Sequence, residues 1–375
     1  MDKHRRENLT GRVEQVLYDW LTRPLWGSRA VEKKCAPVGE PASVSQPPSQ
    51  ELNVPPAAKE LPPHRQPRDT PPAKDVHTTA AVLSNAHNRL KALFLQPQGT
   101  PEFKRDVEQT GQSLSNAVSK NPDGSLFHLM QGTPDKFAIY SVVHSMQCAV
   151  ACGLVADRLG WSRSERDSLV SAALTMNISM ARLQDELAVQ SSPPSPEQRQ
   201  VIREHPYLGV EVLEKSGVSD ELWLRTVREH HESPDGKGYP QGIAASFEPA
   251  EVLRHVDIFM AKLKSRATRK AITPSQAVRE IFMDSGNSRI AGAVIKEFGI
   301  YPPGVFVRLA NGELGIAVAR GESINSPKVA VLVNRFGDSS TNHVRRDTAD
   351  PQFAVISVVN DANVMVKLDP GALFA

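Results

Sequence analysis

The chain has 375 residues, 40% of them hydrophobic, and its 44 Lys and Arg against 42 Asp and Glu leave a formal charge of +2. That length allows two or three domains with a sizeable core, and the balanced charge gives no argument for a nucleic-acid polymer as partner. The opening stretch MDKHRRENLTGRVEQ lacks the apolar region of a secretory signal and no run reaches the length of a membrane span, so a cytoplasmic protein is expected.

Residues 1–30 contain one short amphipathic helical pattern, TGRVEQVLYDWLTRPLWG, with two tryptophans. Composition then shifts: eleven prolines fall between Cys35 and Asp75. Such a stretch buries too little to offset its ordering entropy, so residues 31–78 are expected to form a disordered linker. Helical periodicity begins at Thr79 and marks a helical lead-in over 79–135. From 136 to 300 helical patterns dominate, broken by polar turns. Ser195, Pro196 and Gln198 make a capping box that opens one helix there. A second helix starts near Glu248, acidic in its first turn and basic in its last. Beyond GIYPPG the period changes to two, and Asn311-Gly312 between alternating apolar runs predicts a hairpin. Residues 301–375 therefore read as a small β module. Cys148 and Cys152, spaced i,i+4 in an apolar helical pattern, read as small core residues. With Cys35 they make no disulfide framework.

The candidate metal ligands are His144, His205, His230, His231 and Asp257, drawn from four helical segments. Imidazoles with a carboxylate suit Fe, Mn or Zn. Neighbouring residues on a regular helix point about 100° apart, so His230 and His231 can reach one ion only if their helix ends there. The following ESPDGKGYP supplies that ending. His255 reads as structural.

The stretch HHESPDGKGYP resembles the motif of the HD-GYP family, metal-dependent phosphohydrolases of the HD superfamily. YSVVHSMQCAVACGLVADRLG is similar to its first-histidine helix, EQRQVIREHPYLGVEVLEKSG to its third segment, and RHVDIFMAKLKSRATRKAITPSQAV to its closing helix. YPPGVFVRLANGELGIAV looks like the β tail of some members. The resemblance spans about Leu114 to Val333. It implies a mainly α fold, a helical bundle around two or three metal ions, in which metal-activated water opens a phosphodiester of cyclic di-GMP to give pGpG or GMP. By position, His144 and Asp257 would serve one ion, and His205, His230 and His231 a second. Arg266 and Arg269 would face the ligand's phosphates. Gly238, Tyr239 and Pro240 would shape the guanine side or dock a GGDEF-type cyclase domain.

One segment departs from the family. Its His-Asp dyad falls in AALTMNISM, where Met176 replaces the histidine and Asn177 the aspartate. Ser179 and Met180 replace the following glycine and lysine, and Met260 stands where many members carry a second aspartate. A thioether is a soft, weak ligand for hard dications, and a neutral amide cannot bridge two of them. Changing even a partner of a metal ligand typically costs about 10–100-fold in affinity or activity. The expectation is a regulatory module that binds cyclic di-GMP or a cyclase, holds at most one divalent ion (Fe, Mn or Zn), and is impaired in catalysis. A working one-metal phosphodiesterase and a scaffold with a relic site are the alternatives.

Overall fold

Helix α1 (Ala73–Leu95) starts directly after Pro71-Pro72, inside the stretch expected to be linker. From Ala73 onward every residue of the segment carries the N–H that a helix ladder requires. In this computed structural model the described residues are 73–131, 139–244, 247–263, 272, 276–278, 280–281, 288–340, 343–359, 364, 368 and 370–374. The amphipathic pattern within residues 1–30, the linker up to residue 72, and Arg266 and Arg269 lie outside them.

Helices α2 (Phe103–Lys120) and α3 (Pro122–Gln131) follow, and with α1 they share one hydrophobic core with the rest of the bundle. Helix α4 (Tyr140–Leu159) is buried on nearly every side, as its small apolar run MQCAVACGLVA predicts for a central helix. Gly160, left-handed at φ 77°, ends it. Helix α5 (Arg163–Thr175) opens on a Ser162/Glu165 capping box and packs along α4. A single 3₁₀ turn (Ile178–Met180) leads to α6 (Ala181–Val189). Helix α7 (Pro196–Lys215) begins at the expected box: Ser195 Oγ accepts from Gln198 N–H at 3.2 Å, and Gln198 Oε1 accepts from Ser195 N–H at 2.9 Å. Helix α8 (Glu221–Glu229) buries Trp223, whose indole N–H donates to Thr175 Oγ1 at 2.8 Å and ties α8 to α5. Helices α9 (Glu248–Leu263) and α10 (Arg289–Phe298) complete the bundle, with Phe259 and Phe298 in contact at 5.3 Å between ring centroids.

The C-terminal part is an antiparallel sheet of β1 (Phe306–Leu309), β2 (Leu314–Ala319), β3 (Lys328–Val333), β4 (Arg345–Asp347) and β5 (Val355–Val358), in the order β4-β3-β2-β1-β5. Asn311-Gly312 makes the β1–β2 turn, with Gly312 at φ 90°. The central strand β2 is buried along its whole length. One sheet face meets Phe127 of α3 together with Leu373 and Phe374, at the end of the short helix α11 (Pro370–Leu373). Among the described residues, the fold is thus a mainly α bundle with a small β module seated on it. No described helix is long and apolar enough to cross a membrane.

A buried ion cluster fixes that seating. Glu297 of α10 accepts from Arg158 of α4 at 2.7 Å and also pairs with Arg320, which follows β2 and reaches Asp123 of α3 at 2.6 Å. Truncating the shared carboxylate leaves Arg158 buried and unpaired. Glu297→Ala is therefore expected to destabilise the chain by about 3–5 kcal/mol in urea unfolding. A loss below about 1 kcal/mol, as for an exposed pair, would show that water reaches the cluster.

Candidate metal centre

Helix α7 supplies His205, and the end of α8 supplies His230 and His231. Their donor nitrogens lie within 4.8 Å of one another. Ring centroids are 5.2 Å apart for His205–His230, 5.1 Å for His205–His231 and 4.1 Å for His230–His231. His205 and His230 are fully buried. The adjacent histidines converge because α8 stops at Glu229: His230 is its C-cap, and the backbone leaves the helix there.

Two backbone carbonyls set which nitrogens carry hydrogen. His205 Nδ1 lies 2.5 Å from Ile202 O, and His230 Nδ1 lies 2.8 Å from Val227 O. A carbonyl only accepts, so both Nδ1 atoms donate and both Nε2 atoms are left with a lone pair. Each carbonyl is free for a different reason. In α7, Pro206 has no N–H with which to close the bond back to Ile202. In α8, Val227 sits in the last turn, where carbonyls have no partner within the helix. Burial pushes His205 down to about 3, with help from the neighbouring His230, and burial also lowers His230. His231 is held well below the ordinary value by burial, the two other histidines and the Arg254 guanidinium. The rings are therefore neutral at pH 7. Nε2 of His205 and Nε2 of His230 then face each other at 3.3 Å, lone pair to lone pair. That contact is repulsive unless a cation stands beside it.

The loop after α8 closes one wall. Tyr239 stacks on His231 with centroids 4.4 Å apart and rings 20° from parallel, and its N–H donates to His231 O at 3.1 Å. Gly238 makes that approach possible, since a Cβ there would lie 2.4 Å from His231 O. Buried Glu232 clamps the far side, accepting from Gln241 N–H at 2.7 Å and Ile243 N–H at 3.1 Å. Arg203 reaches Pro240 O at 3.5 Å, at the outer limit of a hydrogen bond.

A second group forms between α4 and α9. His144 Nε2 lies 2.7 Å from Asp257 Oδ1, and Cys148 Sγ lies 3.7 Å from the same Nε2. Burial, then Asp257 and Cys152, push the Cys148 thiol well up. The Asp257 carboxylate works against the lowering that burial imposes on His205 and His230 and adds to the rise that burial gives Tyr239, so one negative charge reaches both groups. The segment Met176–Met180 runs beside them. Met176 is wholly buried in the apolar core, and Asn177 is buried too. Ser179 Oγ donates to His205 O at 2.8 Å, which places this stretch against α7.

Residues 138–294 match the HD domain family. The chain is similar to a cyclic di-GMP phosphodiesterase of Pseudomonas aeruginosa, 25% identical over 69% of this chain and 63% of that protein. It is also similar to the cyclic di-GMP phosphodiesterase response regulator RpfG of Xanthomonas campestris pv. campestris, 28% identical over 53% of each. The chain carries an HD-GYP family domain. A solved HDG"Y"P protein from Bdellovibrio bacteriovorus is similar at 15% identity and a TM-score of 0.48, over 60% of this chain and 75% of that one. The chain spans less than two thirds of the length of these curated relatives.

Within this HD-GYP domain the donor set fits a divalent ion. Three neutral imidazoles, two with their lone-pair nitrogens forced together, suit Zn, Fe or Mn and leave coordination positions open. The structure brings His205, His230 and His231 into one group, and His144 and Asp257 into another. His255 is a structural residue, its Nδ1 donating to Glu251 O at 2.8 Å. Cys148 is a buried core residue, as its spacing predicts, and also lies against His144. The sequence reading missed Arg254, which lies i−3 from Asp257, so helical spacing was the available signal. Pro206→Ala restores an N–H that competes for Ile202 O and loosens His205. The helix should stay as stable or gain, while Mn²⁺ affinity by calorimetry should fall about 10–100-fold. Unchanged affinity would mean that the proline is not what holds the ring.

Proposed function

We propose that the protein is a cyclic di-GMP signalling module in which the three-histidine pocket and the GYP loop bind and hydrolysis is impaired. One asymmetry carries the reading. The pocket of His205, His230 and His231 keeps its aimed nitrogens, its Tyr239 wall and its Glu232 clamp. The adjoining dyad stretch instead offers a thioether packed into the core and a neutral amide.

An ion in the pocket would supply Lewis acidity toward a phosphoryl oxygen and lower the pKa of water. The chain's own contributions are positional. Ile202 O and Val227 O orient two of the rings. Tyr239 shields the third from solvent. Arg254 places a fixed positive charge beside His231, suited to an anionic phosphodiester, and Arg266 and Arg269 extend that role along the chain. Among the described residues, Asp257 is the carboxylate that both ligand groups approach, and Asn177 adds no second charge to divide between two ions. That deficit is why hydrolysis, rather than binding, is expected to fail. The outer side of the Gly238-Tyr239-Pro240 loop is the surface proposed for a cyclase domain.

The purified chain is expected to bind cyclic di-GMP by calorimetry yet to form no pGpG or GMP above background with Mn²⁺ or Fe²⁺. Turnover that vanishes in both His230→Ala and His231→Ala would instead establish a working one-metal phosphodiesterase. Combining Met176→His with Asn177→Asp is expected to raise metal content by elemental analysis. Unchanged content would place the dyad elsewhere in the chain.

A further inference from the structure

We propose that Tyr140 is a stacking platform for a purine base of the bound dinucleotide, doing beside His144 what Tyr239 does beside His231. The proposal rests on the cyclic di-GMP reading above and adds to it a residue outside the GYP loop.

Tyr140 and His144 are i,i+4 on α4, so their side chains leave the same face of the helix one turn apart. Their rings lie 10° from parallel with centroids 5.7 Å apart, an offset stack. His144 is only 1% exposed, and its Nε2 lies 2.7 Å from Asp257 Oδ1. Tyr140, one turn nearer the start of the helix, is half-buried. Exposure therefore rises along this face from the ligand group outward, and the tyrosine ring stands at the more open end. Of the α4 positions that are not buried, Tyr140, Val143, Gly153 and Asp157, Tyr140 alone carries an aromatic ring.

The three-histidine pocket has the same construction. Tyr239 stacks on His231, 20° from parallel with centroids 4.4 Å apart, and it too is half-buried. Each histidine group thus carries one tyrosine laid flat against one of its imidazoles. A stack on a histidine covers one face of a tyrosine, and a flat aromatic face takes any base because every base has a π-face. A cyclic dinucleotide presents one base on either side of its phosphodiester ring. Two tyrosines at one site suit that ligand better than a mononucleotide, whose single base needs one platform.

The backbone beneath Tyr140 is fixed from a distant segment. Ile139, the N-cap of α4, has no side chain able to cap, and Asp185 of α6 takes that part. Its Oδ1 accepts from Ser141 N–H at 2.7 Å, and its Oδ2 accepts from the Ser141 hydroxyl at 3.1 Å. A carboxylate there satisfies an amide left without a helical partner and complements the positive end of the helix dipole. The residue next to Tyr140 is thereby tied to the helix that follows the Met176–Met180 segment, through contacts that do not involve the tyrosine ring.

The test titrates cyclic di-GMP into the full chain with Mn²⁺ present, for the parent, Tyr140→Leu, Tyr140→Phe and Tyr140→Trp. Leucine keeps apolar bulk and removes the flat face, so affinity by calorimetry is expected to fall about 5- to 150-fold, the loss of one base stack. Tyr140→Phe is expected to recover the parent's affinity. Binding should also quench the tryptophan fluorescence of Tyr140→Trp beyond that of the parent, because the indole would lie against the base. A ring that only supports His144 would give no such quenching. Unchanged affinity in Tyr140→Leu, or equal quenching in the parent and Tyr140→Trp, overturns the proposal and leaves the cyclic di-GMP reading standing. A loss in Tyr140→Leu that Tyr140→Phe does not recover overturns it as well, since the hydroxyl would then be the group in use. Should Tyr140→Leu fail to fold, the quenching in Tyr140→Trp decides alone. A parent chain that binds no cyclic di-GMP overturns both readings.

Discussion

The three-histidine pocket depends on two hydrogen bonds from imidazole to backbone, His205 to Ile202 and His230 to Val227. They place hydrogen on Nδ1 in both rings and so leave a lone pair on each Nε2. Nothing in the identity of a histidine requires that arrangement. It arises because two carbonyls lack their usual helical partners, one through Pro206 and one through the end of α8. Local backbone chemistry thus becomes ligand chemistry: a proline that weakens a helix ladder also orients a donor. The bonded carbonyls act as the outer partners that fix ring orientation in metal sites generally.

Electrostatics give the site its asymmetry. Asp257 is the carboxylate that both ligand groups share, and its charge reaches His205, His230, Tyr239, Cys148 and Cys152. Asn177, next to Met176 in the sequence, is buried and uncharged. A pair of dications needs more negative charge than one carboxylate provides, because their mutual repulsion grows in a buried, low-dielectric setting. The proposal that the chain holds a ligand rather than cleaves it rests on this charge asymmetry.

Much of this was legible in the residues. The capping box at Ser195, the Asn311-Gly312 hairpin and the ending of α8 at the paired histidines all follow from short-range rules, and the structure has each of them where expected. The HD-GYP motif carried the three histidines together. The remainder depends on contacts between segments distant in sequence. The Arg158–Glu297–Arg320–Asp123 cluster joins four such segments, and no local pattern marks it. Cys148 reads as a core residue by spacing alone. It becomes a ligand candidate only when α9 brings Asp257 alongside. The start of α1 at Ala73 was obscured by the proline-rich composition just before it.

The most direct test of the central claim is long-range ¹H–¹⁵N NMR of the histidine rings in the metal-free protein at neutral pH. The account predicts that His205 and His230 are both neutral, with hydrogen on Nδ1 and an unprotonated Nε2 that shifts when Zn²⁺ is added. Finding hydrogen on Nε2 of either ring, or no response of both Nε2 signals to the ion, would contradict it.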